Sequence, residues 1–256
     1  PMDMGMSGAA IPTVSGTLLQ TAIMCTHFFR KRCTLRLVKP FSPALAARKI
    51  LSLGFGSSVL ELGNVVLVVL MNAQINRFGS LAALSVYGVV STISSLFQAL
   101  FCGVGQAMQP LVASNYGAGK QERVRTFLRL GLITAGTLGV VFTLLGELFP
   151  REITALFIAA TPEVLDAAPQ VTRLYFPVFL FMGINITSTY YLQSVRRGRP
   201  ALIVSVLRSV VLSGALLLVF PEFLGLTGAL IALPVSELIT VAVAAGLMAR
   251  AVINTK

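Results

Sequence analysis

Two glutamates occupy positions at which an ionisable side chain could do chemistry. Glu61 lies near the centre of an apolar run over residues 50–76, and Glu237 lies near the centre of another over residues 225–250. A charged side chain at the middle of a bilayer costs at least about 2.5 kcal/mol, so it usually faces protein or a water-filled cavity and marks a path for ions or substrates. Both carboxylates are therefore candidates to bind a coupling ion or a substrate.

Glu61 belongs to a polar stripe along one face of its predicted helix. Polar or small residues recur there at three- and four-residue steps, with Val68 filling the one gap, which is the spacing of one helix face: Gly54, Ser57, Glu61, Asn64 and Asn72. The next run carries a similar stripe with Ser91, Ser95, Gln98, Cys102, Gln106 and Gln109. Two such helices can line an aqueous cavity, or their side chains can join the helices by hydrogen bonds. The charge of Glu61 favours the cavity.

Glu237 has no polar stripe of its own. Pro234 precedes it and would kink the helix and free a backbone carbonyl, so Glu237 is either a partner of that kink or a functional carboxylate. Asn185 lies in a shorter patch of amide and hydroxyl side chains, for which hydrogen bonding between helices is favoured, and it stays a candidate for lining the cavity. Arg208 lies within two turns of the end of its run and is expected to extend to the membrane surface.

The sequence lacks the residue sets of common enzymes and metal sites. No Ser–His–acid set and no cluster of metal ligands is present, and the GAGK segment does not have the spacing of a P-loop. The three cysteines are scattered without a metal-binding spacing: Cys25, Cys33 and Cys102. We therefore predict a protein that is not an enzyme and that has no metal site and no organic cofactor.

The composition of the 256 residues indicates an all-α polytopic membrane protein. Hydrophobic residues make up 55% of the chain and charged residues only 11%, whereas soluble domains contain about 25% charged residues. About seven apolar runs are long enough for membrane spans of roughly 20 residues, at 8–29, 50–76, 81–110, 128–149, 172–195, 201–220 and 225–250. The net charge of +11 comes from clusters between these runs, so nucleic-acid binding is not expected.

Connectors rich in Lys and Arg alternate with connectors that are poor in them. The connectors rich in Lys and Arg cover residues 30–49, 120–129 and 196–199. Of the three other connectors, the first contains only Arg77, the second contains Arg151 and Arg173, and the third contains no basic residue. Basic connectors of membrane proteins lie on the cytoplasmic side. The rich connectors and the C-terminus are therefore predicted to be cytoplasmic, in an integral protein of a bacterial plasma membrane.

The segment GVGQAMQPLVASNYGAGKQERV, which begins at Gly103, closely resembles the loop after the eighth helix of the MATE (multidrug and toxic compound extrusion) family. Four other segments are similar to family helices in the same order. They are MGMSGAAIPTVSGTLLQ for the sixth helix, VLELGNVVLVVLMNAQINRFG for the seventh, YLQSVRRGRP for the end of the tenth and GLTGALIALPVSELIT for the twelfth. The resemblance covers residues 5–250, nearly the whole chain.

The resemblance implies a fold of two six-helix lobes, twelve helices in all. Residues 1–29 would be the last helix of the first lobe, residues 30–49 a basic cytoplasmic linker, and residues 50–256 the second lobe. The chain begins with Pro1 rather than Met and is expected to be a piece of a longer protein. Glu61 matches a seventh-helix carboxylate of some members. Two features differ from the family pattern. The fifth run lacks the acidic residue that some members have there, and the sequence does not include the first-lobe helices that carry the coupling Asp in other members.

The resemblance further implies part of a secondary-active antiporter that exports small amphipathic or cationic molecules in exchange for H⁺ or Na⁺. Alternating access between the lobes would require the missing first-lobe helices as partners, so the chain is not expected to transport alone. One alternative is a flippase of related fold for lipid-linked oligosaccharides, which should have several cationic residues in its cavity, whereas Arg208 is the only basic residue that lies away from the ends of the runs. Another alternative is a non-transporting, truncated lobe, in which the polar stripes join helices and Glu61 is paired and dry.

Overall fold

A computed structural model of the protein describes residues 5–26 and 43–253, and this part contains no β-strand. Its helices are α1 (Gly5–Cys25), α2 (Pro43–Phe78), α3 (Leu81–Gly117), α4 (Gln121–Leu148), α5 (Pro150–Phe157), α6 (Pro162–Tyr175), α7 (Val178–Ser194), α8 (Gly198–Val206) and α9 (Leu212–Ile253), with a π-helical turn over Leu207–Val211. The chain divides into two compact units, Pro1–Gly54 and Phe55–Lys256. The predicted domain division stays a prediction, because much of the linker lies outside the described residues.

Several helices have the length and composition of membrane spans. Three stretches qualify individually, at Leu81–Gly117, Gln121–Leu148 and Gly198–Ala249, and the bent pair α6–α7 adds a fourth if it is counted as one span. These helices confirm the predicted all-α membrane fold. The total of seven spans stays a prediction.

The stretch Gly198–Ala249 is a hairpin of two helical limbs rather than one straight helix. Gly225 has φ 56° and ψ −136°, in the region that glycine adopts more readily than other residues. A Cβ atom added at Gly228 would lie 2.3 Å from the carbonyl oxygen of Phe220, although residues eight positions apart in a straight helix are separated by about 12 Å. The chain therefore reverses its direction at Gly225, close to the predicted connector between the last two runs.

Two helix ends differ from the sequence prediction. The third run was expected to end at Pro110, but α3 continues to Gly117 with Pro110 in its interior. Proline is tolerated within membrane helices when neighbouring groups satisfy the freed backbone. The fourth helix begins at Gln121 rather than at Leu128, so part of the basic cluster lies on its first turns instead of in a loop.

The two ends of the second unit differ in charge. At the end where α2 and α4 finish, basic side chains pair with acidic ones: Arg77 with Glu222 at 2.5 Å, Arg151 with Asp166 at 2.9 Å, and Arg173 with Glu147 at 3.9 Å. The opposite end carries the basic cluster of Lys120, Arg123, Arg125, Arg129, Arg196, Arg197 and Arg199 with Glu122. This asymmetry follows the predicted alternation, and the assignment of the basic end to the cytoplasm stays a prediction.

Helix α7 packs against α3, α4 and α9 at the centre of the second unit. The core beside α7 is aromatic. The rings of Phe97 and Phe142 stack with their centroids 3.6 Å apart, and Phe179 meets both rings edge-on. Such aromatic pairs contribute about 0.5–1.5 kcal/mol beyond the burial of their surface. The aromatic core thus fixes α7 relative to α3 and α4.

Small residues allow α4 to approach α7 closely. Gly131, Ala135 and Gly139 are buried at four-residue steps along α4, and a Cβ atom at Gly139 would lie 2.5 Å from the carbonyl oxygen of Phe179. Membrane helices associate largely through van der Waals contact, so small residues at their interfaces are common. Other faces of α4 expose apolar side chains, including Leu130, Ile133, Leu144 and Leu148.

We predict that Gly139→Ala destabilises the protein, because the added methyl group meets a backbone atom that cannot rotate away. The expected loss is about 1–3 kcal/mol, as for other overpacked sites. Gly136→Ala on the same helix is the matched control, since nothing lies within 4 Å of its Cβ position. Thermal unfolding in detergent should show a lower midpoint for Gly139→Ala alone. Equal midpoints for the two variants would contradict the proposed α4–α7 contact.

Candidate functional site

The second unit contains a cavity of about 420 Å³ between α2, α3, α6, α7 and the last hairpin. Apolar side chains such as Leu67, Met182 and Leu233 form part of its wall. The polar and charged part of the wall consists of Asn64, Tyr87, Ser91, Ser94, Ser95, Gln98, Tyr175, Arg208, Ser209, Ser213 and Glu237. Apolar walls with a small number of convergent polar groups are typical of small-molecule binding sites.

A buried charge pair lies in the cavity wall. Arg208 donates a hydrogen bond from Nε to Oε1 of Glu237. Asn185 donates from Nδ2 to Oε2 of Glu237 at 2.6 Å and to the backbone carbonyl of Glu237 at 2.9 Å. The side chains of Arg208 and Glu237 are only 18% and 6% exposed. Because both carboxylate oxygens have N–H donors, the cost of burying this charge is compensated within the protein.

Arg208 lies on the π-helical turn between α8 and α9. The hydroxyl group of Ser213 donates to the carbonyl oxygen of Arg208 at 2.5 Å. The oxygen atoms of Ser213 and Ser236 are 2.8 Å apart, so a hydrogen bond joins the two limbs of the hairpin one residue before Glu237. Single π-helical turns are rare and often occur at functional sites. Here the turn places Arg208 opposite Glu237.

The expectation that Arg208 extends to the membrane surface is wrong. Helix α8 begins at Gly198 rather than at residue 201, so Arg208 lies about 15 Å along the helical limb at 1.5 Å per residue. This distance is nearly three helical turns, and the guanidinium group binds Glu237 instead of extending outward. Two features of the sequence could have indicated this ion pair: a single basic residue in the interior of one apolar run, and a single acidic residue near the centre of the next run.

Three of the sequence-predicted site residues line this cavity, and a fourth contacts one of them. Asn64 and Gln98 line it from the two predicted polar stripes, and Glu237 lines it from α9. Asn185 reaches the site through its hydrogen bonds to Glu237. Asn185 therefore joins α7 to α9 and also holds the charge pair.

The structure places three other candidates away from the wall of this cavity. The amide nitrogen of Gln106 donates to the hydroxyl oxygen of Tyr190 at 3.3 Å, which links α3 to α7. Asn72 is exposed near the end of α2, and Gln109 is half-buried on α3. Their predicted roles in the cavity stay predictions.

Glu61 and Ser57 lie on α2, and their side chains are outside the part that the structure describes. The backbone of α2 nearby does approach the π-helical turn. A Cβ atom at Gly63 would lie 2.6 Å from Cγ2 of Val210. Glu61 is therefore on a helix that contacts the segment carrying Arg208, and its role stays a prediction.

The helices and the cavity define a membrane protein with a polar site at the centre of a helical unit. The family model MatE matches residues 57–218. The chain therefore belongs to the MatE family, and the resemblance to MATE transporters predicted from its sequence is confirmed.

Similar proteins agree with this assignment. The multidrug export protein MepA of Staphylococcus saprophyticus subsp. saprophyticus is 23% identical over 241 residues, which cover 93% of this chain and 52% of MepA. An outward-facing multidrug resistance MATE family transporter of the MOP superfamily superimposes with a TM-score of 0.83 at 19% identity, covering 99% of this chain and 58% of that chain. The chain spans about half the length of the curated relatives it matches.

A second solved structure has the same fold. It is a MOP superfamily transporter from Pyrococcus furiosus, with a TM-score of 0.82 at 18% identity, covering 99% of this chain and 57% of that chain. In that transporter, a reverse polarity of the binding pocket suggests a different function.

We predict that the cavity contains water. In a variant without the native cysteines, Gln98→Cys should react with a charged, membrane-impermeant methanethiosulfonate reagent because Gln98 lines the cavity. Leu96→Cys is the matched control, since Leu96 is 56% exposed but should face hydrocarbon, where a thiol does not ionise. Labelling followed by gel-shift would measure both rates. Equal rates at the two positions would contradict a water-filled cavity.

Proposed function

We propose that this chain is part of a MATE-type efflux transporter that exports small amphipathic or cationic molecules. The observation that carries the proposal is a cavity of about 420 Å³ that combines apolar walls, hydroxyl and amide groups and a buried charge pair. The name of the relative MepA, a multidrug export protein, supports this class of substrate. The protein would lie in a bacterial plasma membrane with its basic end in the cytoplasm.

Transport would be driven by exchange for H⁺ or Na⁺, with alternating access between this lobe and the first-lobe helices. We assign the coupling ion to Glu61, which matches a carboxylate of the seventh helix in some family members. Glu237 is less suited to a metal ion, because each of its oxygens already accepts a hydrogen bond from an N–H donor and hard cations require several oxygen ligands. Glu237 is therefore assigned to the substrate. No covalent chemistry and no organic cofactor are proposed.

The flippase alternative has less support. A lipid-linked pyrophosphate carries several negative charges and would call for several cationic partners. The described wall of the cavity contains one cation, Arg208, and that cation is already paired with Glu237. A small organic molecule fits this balance of charge better.

Efflux of ethidium from bacterial cells tests the proposal. Cells that lack their own major exporters and express the complete reading frame containing this chain should accumulate less ethidium than cells with an empty vector. Glu61→Gln should remove most of this difference, because an amide cannot exchange a proton or bind a cation as a carboxylate does. Glu163→Gln, at an exposed position on α6, is the control and should leave efflux unchanged.

The driving ion is identified in the same cells. Dissipation of the proton gradient should stop efflux if H⁺ is the coupling ion, and removal of Na⁺ should stop it if Na⁺ is. Ethidium accumulation equal to that with the empty vector, with the protein present in the membrane fraction, would contradict the transporter and favour a non-transporting lobe.

A further inference from the structure

The described wall of the cavity has no net charge. Arg208 and Glu237 are the charged residues among its lining side chains, and they have opposite signs. A ligand with a net charge that disrupted this pair would leave one charge in the cavity wall without a partner. Leaving a buried charge unpaired is strongly unfavourable. The wall therefore favours a ligand that can satisfy both charges together.

Arg208 retains N–H donors that have no partner among the described residues. A guanidinium group has five N–H donors, and among the described residues only Nε of Arg208 has a hydrogen-bond partner. Its side chain is 18% exposed, whereas that of Glu237 is 6% exposed. Since Arg208 lines the cavity, its terminal N–H groups are available to an anionic group such as a carboxylate, which binds guanidinium in a bidentate manner.

Glu237 also retains acceptor sites. Each of its oxygens accepts one hydrogen bond, from Arg208 or from Asn185, while a carboxylate offers about four lone-pair positions. Asn185 holds Oε2 from α7 and would keep the carboxylate in place if Arg208 turned toward a ligand. The carboxylate would then be available to a cationic group.

We propose that the Arg208–Glu237 pair is a binding site for amphipathic zwitterions. The carboxylate of the ligand pairs with Arg208, its ammonium group pairs with Glu237, and its apolar part lies against Leu67, Met182 and Leu233, which line the same cavity. This inference rests on the proposed transport function and narrows its substrate class. Both protein charges keep a partner when the ligand binds, so no charge is left unpaired.

Three probes with one fluorophore and different charges test the site. Nε-dansyl-lysine is a zwitterion, dansylglycine is an anion and dansylcadaverine is a cation at neutral pH. Their binding to the purified protein in nanodiscs of uncharged lipid is measured by dansyl fluorescence. The native protein should bind Nε-dansyl-lysine about tenfold more tightly than either singly charged probe, because only this probe satisfies both charges.

Charge-neutralising variants make the prediction specific. Glu237→Gln should bind dansylglycine most tightly of the three probes, because Arg208 then has no charged partner among the described side chains. Arg208→Gln should bind dansylcadaverine most tightly, because Glu237 is then the unpaired charge. The double variant has no unpaired charge and should lose the preference for the zwitterion, which keeps the test valid if a single variant fails to fold. Glu163→Gln, at an exposed position, is the control and should retain the native order of affinities.

The outcomes separate this inference from the proposed function. Binding of dansylcadaverine in preference to Nε-dansyl-lysine, with the same order in the double variant, would overturn the zwitterion site but keep a small-molecule cavity. Binding of none of the three probes would contradict both the zwitterion site and the cavity as a substrate site. A preference for the zwitterion that both single variants retain would assign the pair a structural role only and would overturn the inference.

Discussion

The burial of one charge pair within a helical membrane unit constrains the rest of the second unit. An ionised carboxylate can be kept away from water only if its oxygens find donors nearby. Glu237 obtains them from Arg208 on the π-helical turn and from Asn185 on α7. The reversal of the chain at Gly225 brings Arg208 and Glu237 together, and the close packing of α7 on α9 brings Asn185 to them. Three separate parts of the chain must therefore meet for this charge to be tolerated.

The position of α7 links the packing of the unit to its polar site. On one side, α7 contacts the small residues of α4, where Gly139 leaves room for the backbone at Phe179. On another side it provides Asn185 to the charge pair and Val178 and Met182 to the cavity wall. Because close helix packing in membranes depends on small residues, a change at the α4 interface should also displace Asn185. We therefore expect changes at the α4 interface to affect the geometry of the charge pair as well as stability.

The sequence predicted the class of the protein and one side of its site. Composition and long apolar runs indicated an all-α membrane protein, and the motif that begins at Gly103 indicated the MATE family. The spacing of polar residues on α2 and α3 pointed to a shared face, and Asn64 and Gln98 do line one cavity. Helical periodicity relates residues a few positions apart, so it could identify these two stripes.

The other side of the site depends on tertiary structure. Glu237 belongs to no polar stripe along α9, and its partners are Arg208, 29 residues away, and Asn185, 52 residues away in the sequence. The depth of Arg208 follows from the start of α8 at Gly198 and from the π-helical turn, which no local pattern in the sequence revealed. The burial of Arg208 therefore depends on a partner that the sequence alone did not reveal.

A double-mutant cycle on Arg208 and Glu237 tests the central claim that these residues form a buried, mutually dependent pair. Free energies of unfolding would be measured for the native protein, Arg208→Gln, Glu237→Gln and the double variant in the same detergent. We expect each single variant to lose about 3–5 kcal/mol, because each leaves a buried charge unpaired, and the double variant to be more stable than either. Additive losses in the double variant, or single losses close to zero, would contradict a buried pair and with it the proposed site.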